Sequence, residues 1–480
     1  MSGPTPCESP PGESPPNPVI FYLAAHNERA HEAIRDDQNQ HLVTQKDCID
    51  VLQVSMFQFR HDDPTILATL GRGLDADIRV NHQRISRLHC RFEIDAGTKL
   101  VIFRDTSLNG NCQVHELNLD AETSYPAFPL PRTRAGKVVV MEDMNRVIGM
   151  GGLHGDLYQF KIIWPCGVER IIQDALDRQP GTQPDRPSAL QQTIPNDDSA
   201  TPDAEPVTLR ATRSHTVRLA SRPSLASHPV AEIGEGHSSS VWKAVDVYGI
   251  RFIAIKVMIR PRAHSRWSAN VKREVDALIQ LDHPNIVKYL GFDESIIDGS
   301  TELVIFMSLM DGNLRTLCPQ VRDRDKAPTI AALHGDIKPD NILYHGRFSL
   351  DERIMPSFAL CDFGSSSVTK NTTQRRGSEF FMAPELLETG EQTAKSDIWS
   401  LCVTYMWALN PWFFDGSHGP KDLRDVREVV RTYTQHEKVH PIKEMAAEDP
   451  NQRATAAQIL VKEGGGQGLT SERGSVPPLP

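Results

Sequence analysis

Between Val19 and Ile163 the apolar positions recur every second residue or in short blocks, and turn residues separate the blocks. The runs Val19–Leu23, Ile49–Val54, Cys90–Ile94, Lys99–Phe103, Lys137–Met141 and Leu157–Ile163 each read as a strand, because alternation places successive side chains on opposite faces of a pleated backbone. Helical periodicity is poor throughout this stretch. Many short strands at close spacing predict an all-β sandwich over about residues 17–165. Further on the pattern changes. Phe252–Val257 and Leu303–Met307 read as buried strands, while Val271–Leu281 has apolar residues at helical spacing. That mixture predicts a second, α+β domain.

Composition marks the ends of these regions. Residues 1–16 are rich in Pro, Ser and Glu and lack the apolar core of a secretory signal, so they read as a disordered lead-in. Residues 166–228 turn to Pro, Asp, Gln, Ser and Thr, a composition with too little apolar surface to offset the entropy of ordering, and they read as a disordered linker. Residues 463–480 read as a disordered tail. The 480 residues allow two to four domains at about 150 residues each. A net charge of -10 creates no demand for nucleic acid or an anionic membrane. No apolar run approaches the roughly 20 residues of a membrane span. The eight cysteines are scattered, without Cys-x-x-Cys or metal-ligand spacing, which fits reduced thiols in an intracellular protein.

Three stretches of the first domain carry chemistry. Gly71-Arg72-Gly73 closes an apolar run, Ile85-Ser86-Arg87-Leu88-His89 precedes a strand, and Asp105-Thr106-Ser107-Leu108-Asn109-Gly110 forms a turn. A guanidinium and a hydroxyl on loops at one end of a sandwich make a dianion site. In this order the three stretches resemble the forkhead-associated (FHA) domain, a phosphothreonine-binding β-sandwich. The resemblance implies that Arg72 and Ser86 contact the phosphate, that Arg87 adds charge, that Asn109 bonds the peptide backbone and that His89 braces the loops. Leu108 stands where this family usually has Thr, so one hydroxyl that helps bind phosphate is lost. The Pro-rich segment 125–134 reads as an insertion.

The second domain is organised around His334-Gly335-Asp336-Ile337-Lys338-Pro339-Asp340-Asn341. Asp336 is placed to accept the proton of an attacking hydroxyl, Lys338 to neutralise charge on a transferring phosphoryl group, and Asn341 to offer an amide oxygen to Mg²⁺. Upstream lie Ile233-Gly234-Glu235-Gly236, with Val241 following, and then Ala254-Ile255-Lys256. Downstream lie Asp362-Phe363-Gly364, Ala383-Pro384-Glu385, Asp397-Ile398-Trp399-Ser400 and Arg453. This series resembles the protein kinases over about residues 229–462. The resemblance implies a bilobal fold in which Gly234, Gly236, Val241 and Ala254 surround ATP. Lys256 holds its phosphates and pairs with Glu274, Ser308 and Met310 form the adenine-reading hinge, Met307 is the gatekeeper, and Asp362 joins Asn341 on the metal. Arg453 pairs with Glu385.

Three positions depart from the family. Ser239 replaces the third glycine of the loop over ATP. Gly335 replaces the Arg that usually precedes the catalytic Asp and pairs with a phosphorylated activation segment, so activity is expected to depend only weakly on Thr369, Thr372 and Thr373. The interval 312–334 is too short for the two helices the family fits there.

The chain thus reads as multidomain: an FHA-like sandwich followed by a protein kinase-like domain. The expected function is ATP- and Mg²⁺-dependent phosphorylation of Ser/Thr in protein substrates, directed by binding to phosphothreonine-containing proteins. No nucleic acid or membrane partner is expected. The order of the two domains resembles the FHA-type DNA-damage checkpoint kinases, which implies a nuclear address, with the cytoplasm as the other compartment. The alternatives are a phosphoprotein-binding adaptor and an ATP-binding scaffold, each without transfer activity.

Overall fold

In the computed structural model, residues 18–115, 136–177, 226–318, 334–363 and 379–480 are described, except 60, 143–146, 153–154, 236–238, 260–274, 276–277, 280, 282, 298–299, 347–355, 389–392, 411–422, 467–468 and 470–471. The chain divides into two units, close to the division read from the sequence.

The first unit is a β-sandwich. One sheet has six strands in the spatial order Val43–Lys46, Ile49–Ser55, Val19–Ala25, Tyr158–Ile163, Val147–Met150 and Cys112–His115. The other has five, in the order Ile78–Arg79, Ile66–Gly71, Cys90–Ile94, Val101–Asp105 and Lys137–Val140. Inward positions meet between the sheets. Phe21, Phe92, Phe103 and Phe160 are all fully buried, and the Phe21 and Phe92 rings lie 4.6 Å apart. Each such ring contributes about 1.5–3 kcal/mol by leaving water.

Two helices escape the sequence reading. Glu28–Ile34 is capped by the Asn27 side chain, which accepts from Ala30 N–H at 3.0 Å, and it buries Ala30, Ala33 and Ile34. Val168–Asp177 lies inside the expected linker. Its buried Val168, Ile172 and Ala175 form a single stripe that the polar average of the surrounding sequence conceals. The disordered-linker expectation is therefore corrected over 168–177, and strand Ser227–Glu235 opens the second unit slightly early. Residues 178–225, the lead-in 1–16 and the segment 125–134 lie outside the described residues.

The second unit starts with a five-stranded sheet in the order Ser227–Glu235, Ser239–Asp246, Arg251–Ile259, Ser300–Ser308 and Tyr289–Ile297. A three-stranded sheet follows, Gly312–Asn313, Ile342–His345 and Ser357–Leu360, and then helices Pro384–Glu388, Ala394–Leu409, Leu423–Tyr433 and Ala456–Gly464. Helix Ala394–Leu409 is apolar on nearly all sides and buries Trp399, Cys402 and Met406. It is the centre of the core.

The expected disordered tail is also corrected. Residues 473–475 form a 3₁₀ turn, the Gln458 amide donates to Pro477 O at 3.3 Å, and Leu479 packs on the core. Of the short interval 312–334, helix Leu314–Leu317 is seen, capped by Asn313 and Thr316. Residues 319–333 lie outside the described set.

Candidate functional sites

At one end of the sandwich, backbone hydrogen bonds lace the loops together. Arg72 N–H donates to Ser86 O and Gly73 N–H to Arg87 O, both at 3.0 Å. Gly71 permits this approach: a Cβ there would sit 1.9 Å from the Arg87 carbonyl oxygen, so no other residue fits without moving backbone. His89 is buried. Its Nδ1 accepts from Ser86 N–H at 3.0 Å, while the His89 backbone N–H donates to Leu70 O at 2.8 Å. Burial pushes the His89 imidazole below its usual pKa, which keeps it neutral and able to accept.

The third loop is built on Asp105 and Ser107. Asp105 accepts from Ser107 N–H at 2.8 Å and Cys112 N–H at 2.9 Å, and the Ser107 hydroxyl accepts from Gly110 N–H at 3.0 Å. Leu108 N–H lies 3.5 Å from the Ser86 hydroxyl, so the three loops converge. Arg72 and Asn109 are exposed, and the exposed Arg87 leans on Asp75 at 3.6 Å. These loops thus carry a cation, a hydroxyl and an amide, a set able to grip a phosphate on a peptide. The bracing roles of Asp105 and Ser107 went unread in the sequence, although both lie inside the motif.

In the second unit, Lys256 lies on a central strand whose partner residue across the sheet is Ile305. Its ammonium meets the Asp362 carboxylate at 2.8 Å. Glu274, the expected partner of Lys256, lies outside the described residues, as do Gly236 and the activation segment. Ala254 lies on the same strand as Lys256, Val241 on the neighbouring strand Ser239–Asp246, and Gly234 on the next one out, Ser227–Glu235. Ser308 ends its strand with its N–H on Lys288 O at 2.9 Å and its hydroxyl accepting from Lys288 N–H at 3.2 Å, and Met310 follows outside the sheet.

The loop 334–341 is tightly cross-braced. The Lys338 ammonium contacts the Asp336 carboxylate at 2.7 Å. The Asn341 amide donates to Asp336 O at 2.8 Å and to its carboxylate at 3.1 Å, leaving the amide oxygen for a cation. Asp397, on helix Ala394–Leu409, accepts from both His334 N–H and Gly335 N–H. Nothing near Asp397 in the sequence marks this role, because its partners lie more than 60 residues away. Gly335 has φ 81, a conformation that penalises any side chain, so the missing Arg is matched to its backbone. Asp362 also holds a positive φ, 65, strain of the kind kept at functional sites. Burial raises the pKa of Asp336 against the opposing pull of Lys338. For Asp362 burial works upward as well, but the charge and hydrogen bond of Lys256 outweigh it and the net shift is downward.

The donor set fits a divalent cation of the nucleotide-bound kind. No group of three His, Cys, Asp or Glu is assembled among the described residues. A magnesium ion held by one or two protein oxygens, with phosphates and water completing its shell, needs none.

Comparison with known proteins agrees with this geometry. The FHA domain model matches residues 68–117 and the protein kinase domain model matches 227–328 and 329–463. The break in the kinase match falls inside the short interval 312–334. The chain carries an FHA domain followed by a protein kinase domain. Among similar proteins, a probable serine/threonine-protein kinase of Dictyostelium discoideum is 27% identical over 237 residues, 44% of this chain and 35% of that protein. Serine/threonine-protein kinase 36 of Mus musculus is 28% identical over 212 residues, 40% of this chain and 15% of that protein. Serine/threonine-protein kinase RUNKEL of Arabidopsis thaliana is 31% identical over 201 residues, 37% of this chain and 14% of that protein. The chain therefore spans well under half the length of these relatives.

Proposed function

We propose that the chain is a serine/threonine protein kinase that transfers the γ-phosphoryl group of Mg·ATP to protein hydroxyls and is directed to its substrates by phosphothreonine binding at the FHA domain. The observation that carries the reading is the cross-braced set Asp336, Lys338 and Asn341 together with the Lys256–Asp362 pair at 2.8 Å. Asp336 accepts the proton of the substrate hydroxyl. Lys338 lies beside it and offsets charge that grows on the transferred group. Lys256 orients the phosphates, and Asn341 and Asp362 would hold the magnesium that neutralises them. The Asp-x-Lys-Pro spacing of Asp336, Lys338 and Pro339 is the serine/threonine form of this loop. A role in checkpoint-type signalling and a nuclear address extend the proposal on the order of the domains alone. No helix among the described residues is long and apolar enough to cross a membrane.

A second reading, an ATP-binding scaffold without transfer activity, is favoured by one observation, the shortened interval 312–334. Phosphoamino-acid analysis after incubation with γ-labelled ATP and a mixed protein substrate separates the two. Label on serine and threonine supports the kinase. Label on tyrosine overturns the residue class, and nucleotide binding without label supports the scaffold.

A further inference from the structure

Beyond the last helix of the second unit the chain reads Val476-Pro477-Pro478-Leu479-Pro480. Each proline fixes its own φ at about −65° and holds the residue before it in the extended region. Prolines at 477, 478 and 480 therefore leave the backbone little but a polyproline helix, which has about three residues per turn and no hydrogen bonds of its own. Val476, with φ −79 and ψ 120, lies close to that conformation. The repeat places Val476 and Leu479 on one face, Pro477 and Pro480 on a second, and Pro478 on the third. Burial follows the same repeat: Val476 and Leu479 are half-buried, while the prolines are exposed. Leu479 packs on the core of the second unit.

The kinase domain holds this rod by its carbonyls. Gly465 and Gly466, at φ 61 and 87, turn the chain after helix Ala456–Gly464. The buried Gln458 of that helix then donates its amide to Pro477 O at 3.3 Å and to Pro478 O. Its amide oxygen accepts from Thr455 N–H at 2.8 Å and from the Thr455 hydroxyl at 3.1 Å, which closes the helix cap. Domains that recognise proline-rich segments seat prolines at Pro-x-x-Pro spacing in an aromatic-lined groove, and they gain from a rod that is ordered before it binds. Pro477 and Pro480 have that spacing.

We infer that residues 476–480 are a latent ligand for a partner protein with an aromatic-lined proline groove, and that the kinase domain masks them. The exposed ridge of prolines, already in the conformation such a groove takes up, argues for that partner. The mask follows from the shape of the rod. A groove encloses more than one of its three faces, whereas here one face lies against the kinase core and Gln458 occupies two of the carbonyls. The segment must leave Gln458 before a groove can close on it. A ligand whose binding-competent state is a minor fraction binds more weakly by that fraction. The hold is small, two half-buried side chains and one amide, so a partner can overcome it. None of this depends on phosphoryl transfer or on phosphopeptide binding.

The test uses arrayed, purified SH3 and WW domains, both of which carry such grooves, probed with a fluorescent peptide of residues 472–480. The tightest-binding domain is then titrated with the full chain and with its Gln458→Glu and Gln458→Ala variants. Gln458→Glu keeps the oxygen that accepts from Thr455 and removes the donor to the prolines, so the helix cap survives. The peptide should bind, and joint replacement of Pro477 and Pro480 by Ala should abolish binding. The full chain should bind the same domain at least about tenfold more weakly than the peptide. Gln458→Glu should close most of that gap in a chain that still unfolds cooperatively. No domain binding the peptide overturns the inference. Equal affinities of peptide and full chain remove the mask and overturn it too. A gap that persists in both variants, or closes only where both lose the cooperative transition, makes the segment a fixed part of the kinase fold and likewise overturns it.

Discussion

Arg453→Leu should strongly destabilise the kinase domain. The Arg453 side chain is fully buried and makes paired bonds to Glu385 at 2.7 and 3.0 Å. It also donates to Lys395 O at 2.7 Å, Ala447 O at 2.8 Å and Glu448 O at 3.1 Å, and stacks 5.2 Å over Trp399. Burial pushes the Glu385 carboxyl up, but the hydrogen bond and charge of Arg453, with hydrogen bonds from the backbone and the Ser396 hydroxyl, together outweigh it, so the pKa lies below its ordinary value. Removing the guanidinium takes from the Glu385 carboxylate its charged partner and from three carbonyls a donor at once. Breaking a buried pair from one side costs about 3–5 kcal/mol, much of the 5–15 kcal/mol that holds a typical domain. Thermal unfolding should show the kinase transition lowered by roughly 6–20 °C, from the 2–4 °C per kcal/mol of domains this size, with the sandwich transition unmoved. Glu385→Gln added to Arg453→Leu should recover part of the loss. A kinase transition unchanged in Arg453→Leu contradicts the packing described.

Asp336→Asn should separate transfer from nucleotide binding. The side chain keeps its size, so the loop braced by Asn341 and Asp397 keeps its shape, but the amide cannot accept the hydroxyl proton. General-base catalysis is worth roughly a hundredfold to ten-thousandfold, and the turnover number should fall by that order. Lys256 and Asp362, which bear on the nucleotide, are untouched, so the thermal shift on adding Mg·ATP should persist. Transfer by Asp336→Asn at the wild-type rate would remove Asp336 from the reaction, and loss of the thermal shift would assign it to nucleotide binding instead.

Features that repeat along the chain were legible in the sequence. The strands at Val19–Ala25, Cys90–Ile94 and Tyr158–Ile163 announce themselves because period two is a short-range signal. The Arg453–Glu385 pair was readable because each lies in a motif of its own, although 68 positions separate them. Short helices were less legible. Glu28–Ile34 spans seven residues, about two turns, and depends on the Asn27 cap and on packing against the sheet rather than on propensity. Val168–Asp177 was averaged away by its polar neighbours. Asp397 looked like a landmark because nothing local reveals that its carboxylate holds the backbone of His334 and Gly335.

Two sites lie on one chain, and their coupling is tested most directly by the rate of γ-phosphoryl transfer by the full chain to a pair of matched substrates. Both carry the same acceptor serine; one also carries a distant phosphothreonine. Docking at the FHA domain turns the second encounter into an intramolecular one and can raise apparent affinity about a hundredfold or more. The account predicts a kcat/KM at least roughly tenfold higher for the primed substrate, carried by KM, and abolished by Arg72→Ala while the unprimed rate stays the same. Equal rates on the two substrates, or a primed advantage that survives Arg72→Ala, would contradict it.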